Sequence, residues 1–125
     1  MIDNYKTIAA AYNQGVSEKF QIPTAMNGSG LTQVLAVAPI EIAFDLQDDQ
    51  VETIKITCTV EGDHAFDEVF IGFESGLKAS SRVFFDAYQD LLHSDKSHTS
   101  GETNGFLVDY MRENGQIVAT FNKSK

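Results

Sequence analysis

The segment GFLVDYMRENGQIVATFN, residues 105–122, decides the C-terminal half of the fold. Apolar and polar side chains alternate on both sides of Asn114-Gly115, and Asn-Gly favours the positive φ angles of a two-residue type I′ turn. Such a turn fixes the register of a β-hairpin, so Tyr110 is expected opposite Ala119. In this register six side chains share one face, which is predicted to be buried: Phe106, Val108, Tyr110, Ile117, Ala119 and Phe121.

Two further strands are predicted upstream, because apolar residues again recur with a period of two. The polar turn QDDQ, residues 47–50, joins them as an antiparallel pair. Pro39 cannot donate to a ladder, so it marks the beginning of the first strand or a bulge in a longer strand that starts near Leu31. The alternating apolar residues are Ile40, Ile42, Phe44 and Leu46 in the first strand, and Ile54, Ile56, Cys58 and Val60 in the second.

The N-terminal segment has the periodicity of an amphipathic helix over residues 3–14. Asp3 is expected to cap this helix, and Gly15 stands where a helix commonly stops. Residues 63–73 fit either a helix capped by Asp63 or a short strand, and we favour the helix.

A third helix is predicted over residues 80–92, with Ser80 or Ser81 as its N-cap. Its apolar stripe is broadened by Phe85 and Leu92. A stripe of this width indicates that the helix either lies deep under the sheet or touches a second chain.

Taken together, these elements predict a single α+β domain over residues 1–125. We expect an antiparallel sheet of about four to five strands that ends in a C-terminal β-hairpin. The N-terminal helix and one or two central helices are expected to pack on one face of this sheet.

Composition restricts the classes of function. The net charge is −9, from 18 acidic and nine basic residues, and a surface this negative repels phosphate backbones. Nucleic acid is therefore not an expected partner. The single cysteine, the absence of a cationic, apolar leader in the first residues and the lack of a long apolar run predict a cytoplasmic protein without a membrane span.

Groups that could perform catalysis are few. His93 and His98 lie in the polar stretch 93–105, which we interpret as a solvated connector rather than a metal site, because no rigid element holds the pair. His64 lies beside Asp63 and Asp67, a pattern that also suits the start of a helix. We therefore assign no catalytic residue, cofactor or metal, and an enzymatic activity is not favoured.

Two resemblances suggest what such a chain does. The order of elements, the size and the acidity resemble those of type III secretion effector chaperones, which are dimeric α+β proteins that bind partially unfolded effectors. The stretch IAAAYNQG, residues 8–15, resembles the first helix of the NTF2-like group of ligand-binding proteins and isomerases.

The first functional hypothesis is a protein-binding module of the immunity, inhibitor or chaperone type. Its partner would be another protein with a basic surface, met by carboxylates whose attraction weakens with salt. The candidate contacts are Asp45, Asp48, Asp49, Asp63, Asp67 and Glu68.

The same module is expected to form a homodimer, through the wide helix or through the outer face of the hairpin, where Leu107, Met111 and Val118 are apolar.

The alternative hypothesis is a small-molecule-binding protein or enzyme. It would need an aromatic cavity between the sheet and the helix at 80–92, with Tyr12, His64, Tyr88 and Tyr110 as its polar groups.

Overall fold

A computed structural model describes residues 2–26, 29–79 and 81–124 of the chain. In these residues, three α-helices and one seven-stranded antiparallel sheet confirm the α+β class. The helices are α1 (Tyr5–Gln14), α2 (His64–Gly76) and α3 (Arg82–Leu92), and a 3₁₀ turn spans Glu18–Phe20. The strands are β1 (Asp3–Asn4), β2 (Gly30–Val37), β3 (Ile40–Gln47), β4 (Gln50–Cys58), β5 (His98–Thr103), β6 (Phe106–Glu113) and β7 (Gln116–Lys123).

The sheet has the order β2-β3-β4-β7-β6-β5, and the short β1 pairs with the start of β4. It is thus larger than the four to five strands expected. The pairing of β4 with β7 joins the two halves of the sheet, from Thr53 opposite Asn122 to Cys58 opposite Ile117.

The C-terminal hairpin has the register predicted from its turn. Tyr110 lies opposite Ala119 and Glu113 opposite Gln116. Asn114 and Gly115 both have positive φ angles, 54° and 79°, as a type I′ turn requires. The six side chains predicted for the inner face are all buried: Phe106, Val108, Tyr110, Ile117, Ala119 and Phe121.

Several predicted boundaries differ from the structure. Residues 30–37 form a strand of their own, and Pro39 lies in the turn that follows it, after a cis peptide bond. Val60 lies beyond the end of β4 and is exposed. The cap of α1 is Asn4, whose Oδ1 accepts the Lys6 amide at 2.9 Å, because Asp3 is drawn into pairing with Val51.

Helix α2 confirms the preferred interpretation of residues 63–73. Asp63 caps α2 by accepting the Ala65 amide at 2.8 Å. Ser81 Oγ accepts the Val83 amide at 3.1 Å and so caps α3, whereas Ser80 lies outside the described residues.

The prediction of a solvated connector is wrong for part of this segment, which contains a strand. Residues 98–103 form β5, in which Thr99 and Gly101 are buried under α3. Thr99 Oγ1 donates to the Ala87 carbonyl at 2.7 Å, and a Cβ on Gly101 would come within 3.1 Å of Val83. Because its inward residues are small rather than apolar, β5 lacks the alternation that reveals a strand.

Both outer strands of the sheet are irregular or short. β2 has a register shift between Gln33 and Leu35 where it pairs with β3. β5 has only six residues and carries polar side chains at most positions.

The helices cover one face of the sheet, where the core forms, and the opposite face is open. On the covered face Tyr12 of α1 stacks on Phe73 of α2 with ring centroids 4.2 Å apart. α1 comes this close because Gly72 has no side chain: a Cβ there would lie 3.1 Å from Tyr12 Cδ1 of α1 and 2.7 Å from Val16 Cγ1 just after it. Among the described residues, no helix combines the length and apolarity that crossing a membrane requires.

Arg112 of β6 connects the C-terminal end of α3 to the sheet through hydrogen bonds. Its Nε donates to Glu61 Oε1 at 2.8 Å, and its Nη1 donates to the carbonyls of Ser94 and Lys96 at 3.2 and 2.6 Å. Its Nη2 also donates to the Leu91 carbonyl. The side chain is only 22% exposed, and one guanidinium joins the carboxylate of Glu61 to three carbonyls at the end of α3 and just after it.

Replacing Arg112 with lysine should destabilise the protein by about 2 kcal/mol, because an ammonium cannot reproduce the planar set of donors. Urea unfolding measures the effect. The matched control is Arg82→Lys, whose exposed partner Asp86 lies 3.8 Å away and whose replacement should cost less than about 0.5 kcal/mol. Equal losses in the two variants would contradict the structural role of Arg112.

Candidate functional site

An apolar groove lies between α2 and α3 and is the best candidate for a binding site. Its lining residues on α2 include Asp67, Phe70, Ile71 and Glu74, whose spacing of three and four places them along one helical face. Phe85 and Tyr88, three residues apart on α3, form the opposite wall of the groove. Tyr110 of β6 and Phe66 of α2 complete the lining.

Four aromatic rings form the floor of the groove. Phe66 contacts Phe70 and Tyr88, with ring centroids 5.5 and 4.7 Å apart. Tyr110 lies 5.6 Å from both Phe70 and Tyr88, so the four rings contact one another in a closed circuit. Such packing makes the floor rigid as well as apolar.

The rim of the groove is apolar and open to solvent. Ile71 is 56% exposed and Phe85 54% exposed, so the groove opens to solvent between two large apolar side chains. The cavity between them has a volume of about 190 Å³.

Two carboxylates stand in the groove, seven residues apart on α2. At 1.5 Å per residue they are separated by roughly 10 Å along the helix axis. Asp67 is exposed and lies 3.3 Å from His64 Nδ1. Glu74 is only 8% exposed, and its Oε2 accepts the Ser81 amide at 3.3 Å. Burial raises the pKa of the Glu74 carboxyl, with the Ser81 hydrogen bond opposing the shift.

The two tyrosines of the floor are neutral phenols. Burial raises the pKa of Tyr88 and of Tyr110, and nearby carboxylates add to both shifts. The Tyr110 hydroxyl donates to the Phe84 carbonyl at 3.0 Å, which fixes that ring beneath α3.

Replacing Glu74 with glutamine should stabilise the protein near neutral pH. The raised pKa means that the folded state disfavours the charged carboxyl, so the stability associated with Glu74 is greatest below its ordinary pKa of 4.5 and is lost as pH rises through the raised value. Glutamine removes the charge and keeps an oxygen that can accept the Ser81 amide.

Urea unfolding at pH 8 and pH 5 tests this expectation. The gain of the Glu74→Gln variant should be clear at pH 8 and smaller at pH 5. Glu113→Gln, at an exposed position in the hairpin turn, serves as the control and should change little at either pH. A gain that is the same at both pH values would show that burial of the charge is not its cause.

The structure brings together only part of the pocket predicted from the sequence. Tyr88 and Tyr110 line the groove side by side. Tyr12 is instead buried in the core on the inner side of α1, and its hydroxyl donates to the Phe20 carbonyl at 2.9 Å. His64 projects into solvent with its side chain 99% exposed.

The six carboxylates predicted as partner contacts are distributed over the molecule. Asp48 and Asp49 lie in the turn before β4, whereas Asp63 and Asp67 lie beyond its other end. The nine residues of β4, which separate the two pairs along the chain, span roughly 25–30 Å.

The two other predicted contacts are placed differently. Asp45 lies half-buried on β3, facing away from the helices. Glu68 accepts the amide and the hydroxyl of Ser17 at 2.6 and 2.7 Å, and these hydrogen bonds lower its pKa. Of the six residues, Asp67 alone lines the groove.

The remaining chemically capable side chains have structural partners. His93 Nε2 lies 3.1 Å from Gln89 Oε1, and His98 Nε2 lies 2.9 Å from Asp109 Oδ1. Cys58 is buried, and its thiol donates to the Val60 carbonyl at 3.0 Å. Within residues 2–26, 29–79 and 81–124, no three His, Cys, Asp or Glu side chains converge in a way that could hold a metal ion.

Comparison with protein-family models finds no match. Neither curated proteins nor solved structures show a significant similarity to the chain. Function therefore has to be inferred from the groove and its surroundings.

Proposed function

We propose that the protein is a small acidic protein-binding module that holds a partner at the α2–α3 groove. It would act in the cytoplasm as an immunity protein, an inhibitor or a chaperone does, by occupying a basic surface of another protein. The observation that carries this proposal is the aromatic groove with its exposed rim of Ile71 and Phe85.

The size of the groove favours a single side chain as its occupant. Sites for drug-sized ligands have volumes of roughly 300–1,000 Å³. The groove measures about 190 Å³ and opens at the surface, where the rest of a partner could spread over the apolar rim. An anchor side chain in a pocket, surrounded by weaker contacts, is the usual arrangement of a protein–protein hot spot.

Charge supports a basic partner. The chain has a net charge of −9, and among the described residues the charged groups that line the groove are the acidic Asp67 and Glu74. Long-range attraction of this kind raises the rate of association and is screened by salt within about 10 Å at 0.1 M ionic strength.

A small molecule is the second candidate, in the manner of NTF2-like proteins. The specific observation in its favour is that Glu74 and Tyr88 offer polar groups beside an aromatic floor. The small volume and the open rim argue against it, because most of a small ligand would remain in solvent.

Replacing Phe85 with serine should weaken binding of a basic partner by tenfold or more, since an exposed aromatic at a pocket rim is a typical hot spot. The measurement uses immobilised protein to isolate partners from a lysate, followed by affinity measurement with the purified partner at 50 and 300 mM salt. Binding of the unaltered chain should fall steeply between the two salt concentrations.

Val83→Ser is the matched control, because Val83 is an exposed apolar residue of the same helix that lines the opposite side, near β5. It should leave the affinity unchanged. An affinity that is insensitive to Phe85→Ser, or that does not depend on salt, would contradict the proposed use of the groove.

We also propose that the protein forms a homodimer through the open face of the sheet. Leu107 and Val118 are half-buried on this face, and Met111 beside them is exposed. Lys55 and Asp109 lie on the same face, on either side of Thr120, so a two-fold axis could bring the lysine of each copy to the aspartate of the other.

Size-exclusion chromatography with light scattering should therefore give twice the chain mass of 13.8 kDa. Met111→Lys should shift the protein to the monomer, because it places a charge beside the apolar side chain of Val118 on this face. Ile71→Lys, which alters the groove instead, should leave the dimer intact. A monomer at all concentrations for the unaltered chain would rule out this part of the proposal.

A further inference from the structure

The buried carboxylate of Glu74 indicates which kind of group enters the groove. We infer that the groove recognises the cationic head of a lysine or arginine side chain of the partner protein. This inference rests on the proposed function insofar as it takes the groove as the binding surface, and it adds the chemical class of the anchor.

The hydrogen bonding of Glu74 favours a cation over an apolar group in the groove. In the described residues, the Ser81 amide at 3.3 Å is the hydrogen-bond donor to this carboxylate, and it reaches only Oε2. An apolar anchor would remove the remaining water from the carboxylate without replacing the lost hydrogen bonds, which is unfavourable. A cationic anchor would supply both a donor and the opposite charge.

The aromatic floor of the groove also favours a cation. The faces of Phe and Tyr rings attract cations, and aromatic pockets with a carboxylate nearby are typical of ammonium recognition. The stem of a lysine or arginine can lie against such rings while its head reaches the charged group. This chain already makes contacts of this type, with Lys19 Nζ 4.9 Å from the Phe20 centroid and Lys123 Nζ 4.8 Å from that of Phe106.

The charges around the groove favour a cation as well. The residues that line it in the described part of the chain include two acids and no lysine or arginine, so no internal cation occupies the place of the ligand. Asp67 is exposed and already close to His64, whereas Glu74 is buried. Glu74 is therefore the residue that selects a cation. Asp67 attracts the cation electrostatically from the other end of the groove.

A titration followed by ¹⁵N–¹H NMR tests the inference directly. The probes are n-butylammonium and n-butylguanidinium, with 1-butanol as a neutral molecule of similar shape. The two cations should shift the amide signals of Ile71 and Phe85 in a saturable manner, and 1-butanol should bind at least tenfold more weakly. Equal shifts from 1-butanol and the cations would overturn the inference.

Glu74→Gln separates recognition of a cation from a structural role, because glutamine can still accept the Ser81 amide. The variant should keep the spectrum of the folded protein but lose about tenfold in affinity for both cations, as expected when a hydrogen bond to a charged group is removed. Its affinity for 1-butanol should not fall. Unchanged affinity for the cations would show that Glu74 serves only to hold the loop before α3.

Short capped peptides distinguish the source of the cation. A Gly-Lys-Gly or Gly-Arg-Gly peptide that binds at least as well as the free amine supports a protein as the partner. If the free amines bind through Glu74 and the peptides do not, the cation site stands and the proposed protein-binding function fails.

Discussion

The pairing of β4 with β7 is the constraint on which the rest of the structure depends. It connects two three-stranded halves that are far apart in sequence, with Cys58 opposite Ile117 at one end and Thr53 opposite Asn122 at the other. The chain between these strands contains α2 and α3, which must then cross the same face of the sheet. Both helices are amphipathic, so they bury their apolar sides against that face and lie beside each other. The groove is the space that remains between them.

Local signals in the sequence predict much of this fold. The Asn114-Gly115 turn fixes a register, and the QDDQ turn identifies an antiparallel pair, because turn chemistry acts over a few residues. What the sequence does not reveal depends on tertiary contacts. The strand β5 is not predicted from the sequence, because its buried residues Thr99 and Gly101 are small and contact α3, so they form no apolar stripe. The start of α1 was placed too early because pairing with β4 captures Asp3.

The candidate site was less predictable than the fold. Tyr88 and Tyr110 are two of the four polar groups predicted for an aromatic cavity, and both line the groove. Tyr12 and His64 are the other two, and they lie elsewhere because their positions depend on how α1 and α2 pack. Glu74 was overlooked, although a charged residue on the helical face that carries Phe66, Phe70 and Phe73 is a signal that the sequence does contain. Phe85 could be assigned to solvent only after α3 had been oriented.

The two edges of the sheet limit how this protein can assemble. Unpaired backbone groups on an outer strand invite another strand to add, which is the first step toward fibrous aggregates. The shift of register in β2 and the shortness and polarity of β5 both interfere with such addition. Growth by addition of strands is thus discouraged at both outer strands of the described sheet, β2 and β5.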